Sequence, residues 1–318
     1  MTTGNRIFIT GGAGFIASHL VERLLDQHDI ILYDNLHRNA LKFTSFANHP
    51  RLRFVQGDVL DLNALTQAMT DASVCVHAAA IAGIYSVGKS ASLTMKVNFL
   101  GAYNALEAAV KNGVRRFVDF STSEVYGPFV YRGKETDMTT LGKVGEKRWI
   151  YAVSKLASEH YSHAFGEENG LEVNSVRPFN VYGPRQIGEG AIQQMVNRAL
   201  RNEDLTVFND GTQIRSWCYV TDFVDALREV VLKDDVRGQV FNIGNPQATV
   251  TVLGLAETVI RMTGSKSQIV FKPHPGPEVE MRVPDIDRAK SLLGFQPKVG
   301  LQEGLERSIA WYQEHLEN

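Results

Sequence analysis

The sequence predicts an α/β protein, a doubly wound parallel sheet with helices on both faces followed by a smaller mixed α/β lobe. Three observations predict it. Short, nearly continuous apolar runs alternate with longer helical patterns through the first half of the chain. A glycine-rich turn joins the first run to the first helical segment. After Pro178 glycines and prolines crowd together and the apolar runs shorten.

Taken in order, Arg6 to Thr10 reads as a strand and Phe15 to Gln27 as a helix, with Ile16, Leu20 and Leu24 near helical spacing. Asp29 to Tyr33, Leu52 to Val55, Val74 to His77 and Arg116 to Phe120 are four further strands. Between the last two, Ser92 to Asn112 is predicted as one long helix with Leu106, Ala109 and Val110 inward. A helix from Tyr151 to Glu168 leads into a strand at Glu172 to Val176. Val240 to Ile243 is expected to rejoin the large sheet, and Leu301 to Leu316 forms a final helix striped by Leu305, Ile309 and Tyr312. The expected division is 1–177, with about 212–245 returning to it, and 178–318.

Length and composition set the class. At about 150 residues per domain, 318 residues predict two units. A hydrophobic share of 44%, a charged share of 21% and a mean hydropathy of -0.15 describe a globular chain with a sizeable core. Lys and Arg number 33 against 35 Asp and Glu, so the basic excess of a nucleic-acid binder is missing. Cys75 and Cys218 cannot build a disulfide framework, and no Cys/His cluster has metal-ligand spacing. His160 and His163 share a helical stretch but lack a third ligand. The first residues run straight into a strand, so no signal peptide is expected, and no apolar run reaches the roughly 18 residues of a membrane span. A cytoplasmic, membrane-free protein is the expectation.

Gly11-Gly12-Ala13-Gly14-Phe15-Ile16-Ala17 follows the first strand and opens the first helix. Gly12, Gly14 and Ala17 fit the G-x-G-x-x-G/A pattern, and Gly11 with Gly14 adds a shifted spacing. Missing side chains let the backbone approach a pyrophosphate, and Phe15 and Ile16 open the helix whose N–H groups would receive it. Asp34, with Asn35 beside it, ends the next strand 20 residues beyond Gly14. A carboxylate there accepts from both ribose hydroxyls and repels a 2′-phosphate, favouring NAD over NADP, although Arg38 is near. Asp58 and Val59 follow the third strand, where an adenine would lie, and Ala78, Ala79 and Ala80 follow the fourth. The fold expected is therefore a Rossmann-type doubly wound parallel sheet binding NAD.

Tyr151 and Lys155 are four apart at the start of a helix and project from one face. Bringing a tyrosine from its ordinary pKa of about 10 to near 7 takes about 4 kcal/mol. A lysine ammonium about 5 Å away supplies about 3 kcal/mol at an effective dielectric near 20, and the charge of an oxidised nicotinamide could provide the rest. Such a pair removes a hydroxyl proton as hydride leaves carbon.

The combination of the glycine turn, Asp34, Asn98, Ser121-Thr122, Tyr151 and Lys155 resembles the extended short-chain dehydrogenase/reductase family over essentially the whole chain. The resemblance includes Arg177 to Arg185 and Arg215 to Asp222. It implies an NAD-dependent enzyme acting on a nucleotide-activated sugar. Thr122 would bond the sugar 4-hydroxyl, Tyr151 act as base and Lys155 hold the nicotinamide ribose, while Asn98 would serve the cofactor side. Asn180 and Arg215 would hold the diphosphate. A homodimer joined through the Ser92–Asn112 and Tyr151–Glu168 helices is implied too. Ala17 stands where relatives usually have glycine.

Enzymes of this family begin alike, with hydride leaving C4 to give a 4-keto sugar, and diverge afterwards. Ser121-Thr122-Ser123-Glu124 places Ser123 and Glu124 where UDP-glucuronate decarboxylases carry the same pair. dTDP-glucose 4,6-dehydratases have aspartate where this chain has Ser123. Arg148 to Lys155 is similar to the decarboxylase half of the aminoarabinose-pathway enzyme. Arg282 falls where decarboxylases carry an arginine implicated in handling the carboxylate, and Arg185 could add a second charge; an arginine fork suits a carboxylate. Ala80 to Ser86, including Tyr85, instead looks like UDP-glucuronate 4-epimerases. Decarboxylation of UDP-glucuronate, 4-epimerisation and 4,6-dehydration all remain open, with a non-catalytic NAD-sensing protein as the reading from another class. The expected partner is a UDP-linked sugar, with no metal and no nucleic acid.

Overall fold

The computed structural model describes residues 5–274 and 276–316. Residues 1–4, which carry most of the expectation about a signal peptide, and Pro275 of the Pro273–Pro277 run lie outside the described residues, as do residues 317–318.

The chain opens with β1 (Arg6–Thr10), buried from Ile7 onward, turns through its glycines into α1 (Phe15–Leu24) and returns as β2 (Asp29–Asp34). β3 (Leu52–Gln56), α2 (Leu62–Ala68) and β4 (Val74–His77) follow. Asp61 caps α2 by accepting from the Ala64 N–H at 3.0 Å. The helix predicted over 92–112 is present, running without a break from α4 (Ala91–Met95) through a π-helical turn at Lys96–Leu100 into α5 (Gly101–Lys111), and a short α3 (Ile84–Lys89) that the sequence reading did not expect precedes it. Ser90 leaves helical geometry at φ -149°, ψ 77°, which separates α3 from α4. The wide turn carries Asn98, and such insertions cluster at functional sites.

β5 (Arg116–Phe120), β6 (Phe129–Gly133), α6 (Ile150–Asn169) and β7 (Glu172–Pro178) complete the first half. The second half contains β8 (Val181–Tyr182), α7 (Ala191–Leu200), β9 (Leu205–Phe208), β10 (Ile214–Ser216), β11 (Cys218–Tyr219), α8 (Val220–Leu232) and β12 (Val240–Ile243). It ends with β13 (Thr249–Thr251), α9 (Val252–Thr263), β14 (Ile269–Lys272), β15 (Met281–Pro284), α10 (Asp287–Leu293) and α11 (Leu301–Glu314).

Among the described residues the large sheet runs β12-β7-β5-β4-β1-β2-β3, every pair parallel. The chain steps outward from β1 to β3 and resumes at β4 on the other flank of β1. Its direction of travel therefore reverses between β1 and β4, which opens a crevice at their C-terminal ends. Leu20 and Val21 of α1 and Phe223 and Leu227 of α8 cover one face against Ile7, Ile9 and Val118. Leu65 of α2 and Leu106 of α5 cover the other against Phe8, Cys75 and Phe117. Each such side chain contributes about 1.5–3 kcal/mol through burial.

A second sheet, β13-β10-β15-β6, stands beside the crevice. β6 reaches it from the first half of the chain. β10 belongs to it too, so within 212–245 it is α8 and β12 that pack on the large sheet. Met195, Leu255 and Leu305 form a separate core beneath α7, α9 and α11. No helix of the described residues is long and apolar enough to cross a membrane.

Candidate active site

A cavity of about 1270 Å³ extends from the crevice to the second sheet. Phe15, Ile16, Ala78, Ala80, Tyr85, Thr122, Ser123, Glu124, Tyr151, Lys155, Asn180, Arg215 and Arg282 all line it. Its charge is lopsided. Lys147, Arg148, Lys155, Arg198, Arg215, Lys272 and Arg282 face Glu124, Glu146, Glu189 and Glu278, seven cations against four anions. That excess suits a ligand bearing a diphosphate and one further negative charge.

The crevice end is built for close backbone approach. Gly11 has φ +66°, and a Cβ there would lie 2.7 Å from the Ala79 nitrogen and 2.9 Å from the Ala78 carbonyl carbon. Only glycine lets the end of β1 press against the turn after β4. Gly14 closes the loop, its N–H donating to the Gly11 carbonyl at 3.0 Å. The first-turn N–H groups of α1 have no acceptor within the helix, and Phe15 and Ile16 carry them into the cavity. Asp34 braces this loop, accepting from the Ala13 N–H at 3.0 Å and the Leu36 N–H at 2.7 Å. Burial pushes its pKa up against those two bonds. Each carboxylate oxygen keeps a lone pair for a ribose hydroxyl. Arg38 is engaged elsewhere, donating to the Ala82 carbonyl at 3.0 Å and lying 3.5 Å from Glu189. It is therefore not free for a 2′-phosphate.

The chemical end gathers on β5 and α6. Thr122 follows β5 and accepts from the Glu124 N–H at 3.2 Å, leaving its hydroxyl to bond Tyr151. Burial and then the Glu124 carboxylate push Tyr151 up to about 12, outweighing Thr122 and Arg282. The expected depression of Tyr151 is therefore reversed in the free protein, where burial of the phenol dominates. Lys155 is 1% exposed, and its Nζ has no hydrogen-bond partner among the described residues. Burial lowers its pKa against Asp119 and Glu159. A buried, unpartnered ammonium beside the crevice fits a hydroxyl-rich ligand such as a nicotinamide ribose.

Glu124 is held from two sides. Arg148 donates to both its oxygens, at 2.5 and 3.0 Å, and Arg282 lies 3.5 Å away. Burial pushes the Glu124 carboxyl up, but Arg148 and then Arg282 pull harder, and it lies below the ordinary carboxylate range. Arg282 and Arg215 are register partners on β15 and β10, so two guanidiniums stand side by side. Burial and then Arg282 push Arg215 down to about 10. Arg215 also bonds the Val279 carbonyl, and Asn180 Nδ2 donates to the Ser216 carbonyl at 2.8 Å.

The family model described as the NAD dependent epimerase/dehydratase family matches residues 7–244. The chain belongs to that family. It is 33% identical to a UDP-N-acetyl-alpha-D-glucosaminuronate decarboxylase of Bacillus cytotoxicus, over 98% of this chain and 99% of that one. It is 34% identical to UDP-glucuronic acid decarboxylase 1 of Arabidopsis thaliana, over 98% and 71%. A UDP-glucuronic acid 4-epimerase from Bacillus cereus, solved with UDP-glucuronic acid and NAD, superposes with a TM-score of 0.89 at 28% identity, covering 98% and 99%.

For a member of this epimerase/dehydratase family, five expected site residues stand differently. Arg185 is not on the cavity wall: it makes a bidentate pair with Glu22 at 3.0 and 2.8 Å and donates to His19 Nδ1 at 2.6 Å, and it is 6% exposed. Its charge is spent on α1, out of reach of a substrate carboxylate. Asn98 is fully buried, with its oxygen taking the Ile81 N–H and its amide donating to the Ile81 carbonyl and Ser154 Oγ. It fastens the turn after β4 to α6 instead of facing the cavity. Val59 is buried against Gly101, while Asp58 and Asn35 are exposed and fold back on the Leu60 and His37 N–H groups. Sequence reasoning also missed two residues. Arg148 begins the Arg148–Lys155 stretch, but its grip on Glu124 spans 24 positions. Glu189 bonds the N–H groups of Tyr85 and Ser86 and fixes that loop at the cavity wall.

Proposed function

We propose that this protein is an NAD-dependent decarboxylase of a UDP-linked hexuronate. The observation that carries the reading is Glu124, held ionised by Arg148 and Arg282 within the same cavity as Thr122 and Tyr151. Bound NAD supplies the acceptor, and later the donor, of the sugar's C4 hydride; Phe15, Ile16, Asp34, Ala78 and Lys155 would hold it. Asn180 and Arg215 would hold the diphosphate.

Tyr151 takes the C4 hydroxyl proton as hydride leaves, and Thr122 keeps the phenol oxygen aligned. Oxidation makes the C6 carboxylate β to a ketone, so the C5–C6 bond can break and deliver its electron pair to an enolate at O4. A tyrosine with a pKa near 12 is a hydrogen-bond donor, suited to that enolate once it carries a proton. Arginines draw the uronate into the cavity. Because Glu124 already occupies Arg148 and shares Arg282, the incoming carboxylate is only partly neutralised. A carboxylate locked in a full salt bridge would keep its charge at C6 and resist leaving as carbon dioxide.

The relatives named as decarboxylases support this reading, and the Ser123-Glu124 pair accords with it. The second reading, 4-epimerisation of the same substrate, is favoured by the structural likeness to the Bacillus cereus enzyme. Incubation with UDP-glucuronate and NAD, followed by NMR, separates them. UDP-xylose or a 4-keto pentose supports decarboxylation, and UDP-galacturonate supports epimerisation.

A division of labour, cofactor groups before about residue 177 and substrate groups mainly after it, goes with this proposal, as do a cytoplasmic setting and a homodimer. Leu93, Leu100, Tyr103 and Val153 are exposed apolar residues on α4 to α6, the faces on which a second copy would pack. Light scattering reading twice the chain mass would support that assembly, and a monomer mass would exclude it.

A further inference from the structure

Beneath Lys155 lies a row of polar residues that the chemistry above leaves unused. Thr10, His77, Asp119 and Ser175 are successive register partners across β1, β4, β5 and β7, so their side chains share one face of the sheet. Lys155, Glu159, Ser162 and His163 of α6 cover that face. The row is tied at both ends. Thr10 Oγ1 and His77 Nδ1 lie 2.8 Å apart, and His163 Nε2 is 3.1 Å from Ser175 Oγ. Its middle is not tied. Both Asp119 carboxylate oxygens, His77 Nε2, Ser162 Oγ and Lys155 Nζ are buried with no hydrogen-bond partner among the described residues.

Buried polar atoms of this kind are normally satisfied, and a cluster of them in one place calls for internal water. The inner end of the row is Lys155, one helical turn from Tyr151 on the cavity wall. The outer end is His163, half-buried at the edge of α6. Asp119 stands between them.

We propose that this row is a proton route, in which Asp119 and bridging water pass protons between Lys155 and His163. Asp119 is thus a positioning residue that acts on Tyr151 through Lys155. The direction of flow rests on the decarboxylase reading. There the C5–C6 bond breaks, its electron pair enters the C4–C5 enolate, carbon dioxide leaves, and protonation at C5 restores the ketone with a new C5–H bond. The hydride returns to C4 and the hydroxyl proton to O4, so each turnover consumes one proton from water. Substrate seated in the cavity obstructs the direct path to solvent. His163 takes the proton from water and hands it by way of Ser175 Oγ and water to Asp119. Asp119 hands it on to Lys155, which resupplies Tyr151.

The charged and titratable groups around Asp119 favour exchange. Burial raises its carboxyl to about 6, against the pull of Lys155, with Glu159 adding to the rise. His77 is held neutral, burial and then Lys155 lowering it to about 3. Arg177 neutralises Glu159 through bonds of 3.1 and 2.6 Å. Burial lowers His163 against Glu159.

Two measurements test the route. In the first, Asp119→Asn and His163→Gln are assayed with UDP-glucuronate. The route predicts that Asp119→Asn lowers kcat about 10-fold or more with KM unchanged and removes the inflection of kcat near pH 6. His163→Gln should lower kcat less and recover with imidazole in the buffer. The second needs no activity: carboxyl-labelled aspartate NMR of the protein alone should show one buried carboxyl titrating near pH 6, moving upward in Lys155→Met. An Asp119→Asn enzyme with wild-type kcat and pH profile, or an Asp119 signal indifferent to Lys155, overturns the route. Wild-type enzyme that releases no carbon dioxide sinks the functional reading instead, while the NMR still decides the row.

Discussion

Arg148 grips both oxygens of Glu124, at 2.5 and 3.0 Å, inside the cavity that the two share with Tyr151. Glu124 is therefore an ionised, oriented group, and it competes with any substrate carboxylate for the arginines. Replacing Glu124 with Gln frees both guanidiniums to lock onto a uronate. KM for UDP-glucuronate should fall while kcat drops about 100-fold, the pattern of lost ground-state destabilisation. Steady-state kinetics check this; a raised KM with unchanged kcat would contradict it.

Arg148→Met removes the largest attraction lowering Glu124 and leaves Arg282 at 3.5 Å. The Glu124 carboxyl should rise, moving the acid limb of kcat to higher pH. Stability should drop by about 2 kcal/mol near neutrality. A depressed carboxyl stabilises the fold above its unfolded pKa and loses that contribution as pH falls through the folded value. The difference between wild type and variant should therefore shrink in acid, as denaturant melts at two pH values would record.

Tyr151→Phe should remove turnover, by about 1000-fold or more, while NAD binding measured by fluorescence or calorimetry changes little. Sugar turnover surviving in the variant would exclude Tyr151 as the base.

Arg185 gives a prediction of the opposite kind. His19 Nε2 lies 2.9 Å from the Pro184 carbonyl, which suits a donated proton, while Nδ1 accepts from Arg185. The ring is thus neutral, and burial and then Arg185 lower it to about 4. Its folded pKa is depressed from 6.5, so its contribution is whole above pH 6.5 and is lost as pH falls to about 4. That loss amounts to about 3 kcal/mol. His19→Gln should flatten stability over this window, and Arg185→Met should cost about 3 kcal/mol with kcat nearly unchanged. A large fall in kcat without loss of stability would restore Arg185 to the substrate.

The large sheet was legible because strands buried on both faces read as nearly continuous apolar runs, and Ile7–Ile9 of β1 and Ile30–Tyr33 of β2 are of that kind. The glycine turn and Tyr151-Lys155 were legible because their spacing is local. What escaped depends on distance in sequence. β6 joins β15 from about 150 residues away, and Arg185 meets Glu22 across 163. The break at Ser90 and the π-helical turn at Lys96–Leu100 also escaped, because each rests on local backbone geometry, which apolar spacing does not specify. Charge type alone placed Arg185 in the cleft; only packing on α1 reveals its partner.

The most direct test of the account follows one carbon. UDP-glucuronate labelled at C6 with ¹³C is incubated with the protein and NAD, and the label is traced by NMR. The account predicts that it leaves as carbon dioxide and bicarbonate, matched by a UDP-pentose or its 4-keto form. Label retained in a C4-epimerised UDP-uronate would contradict it.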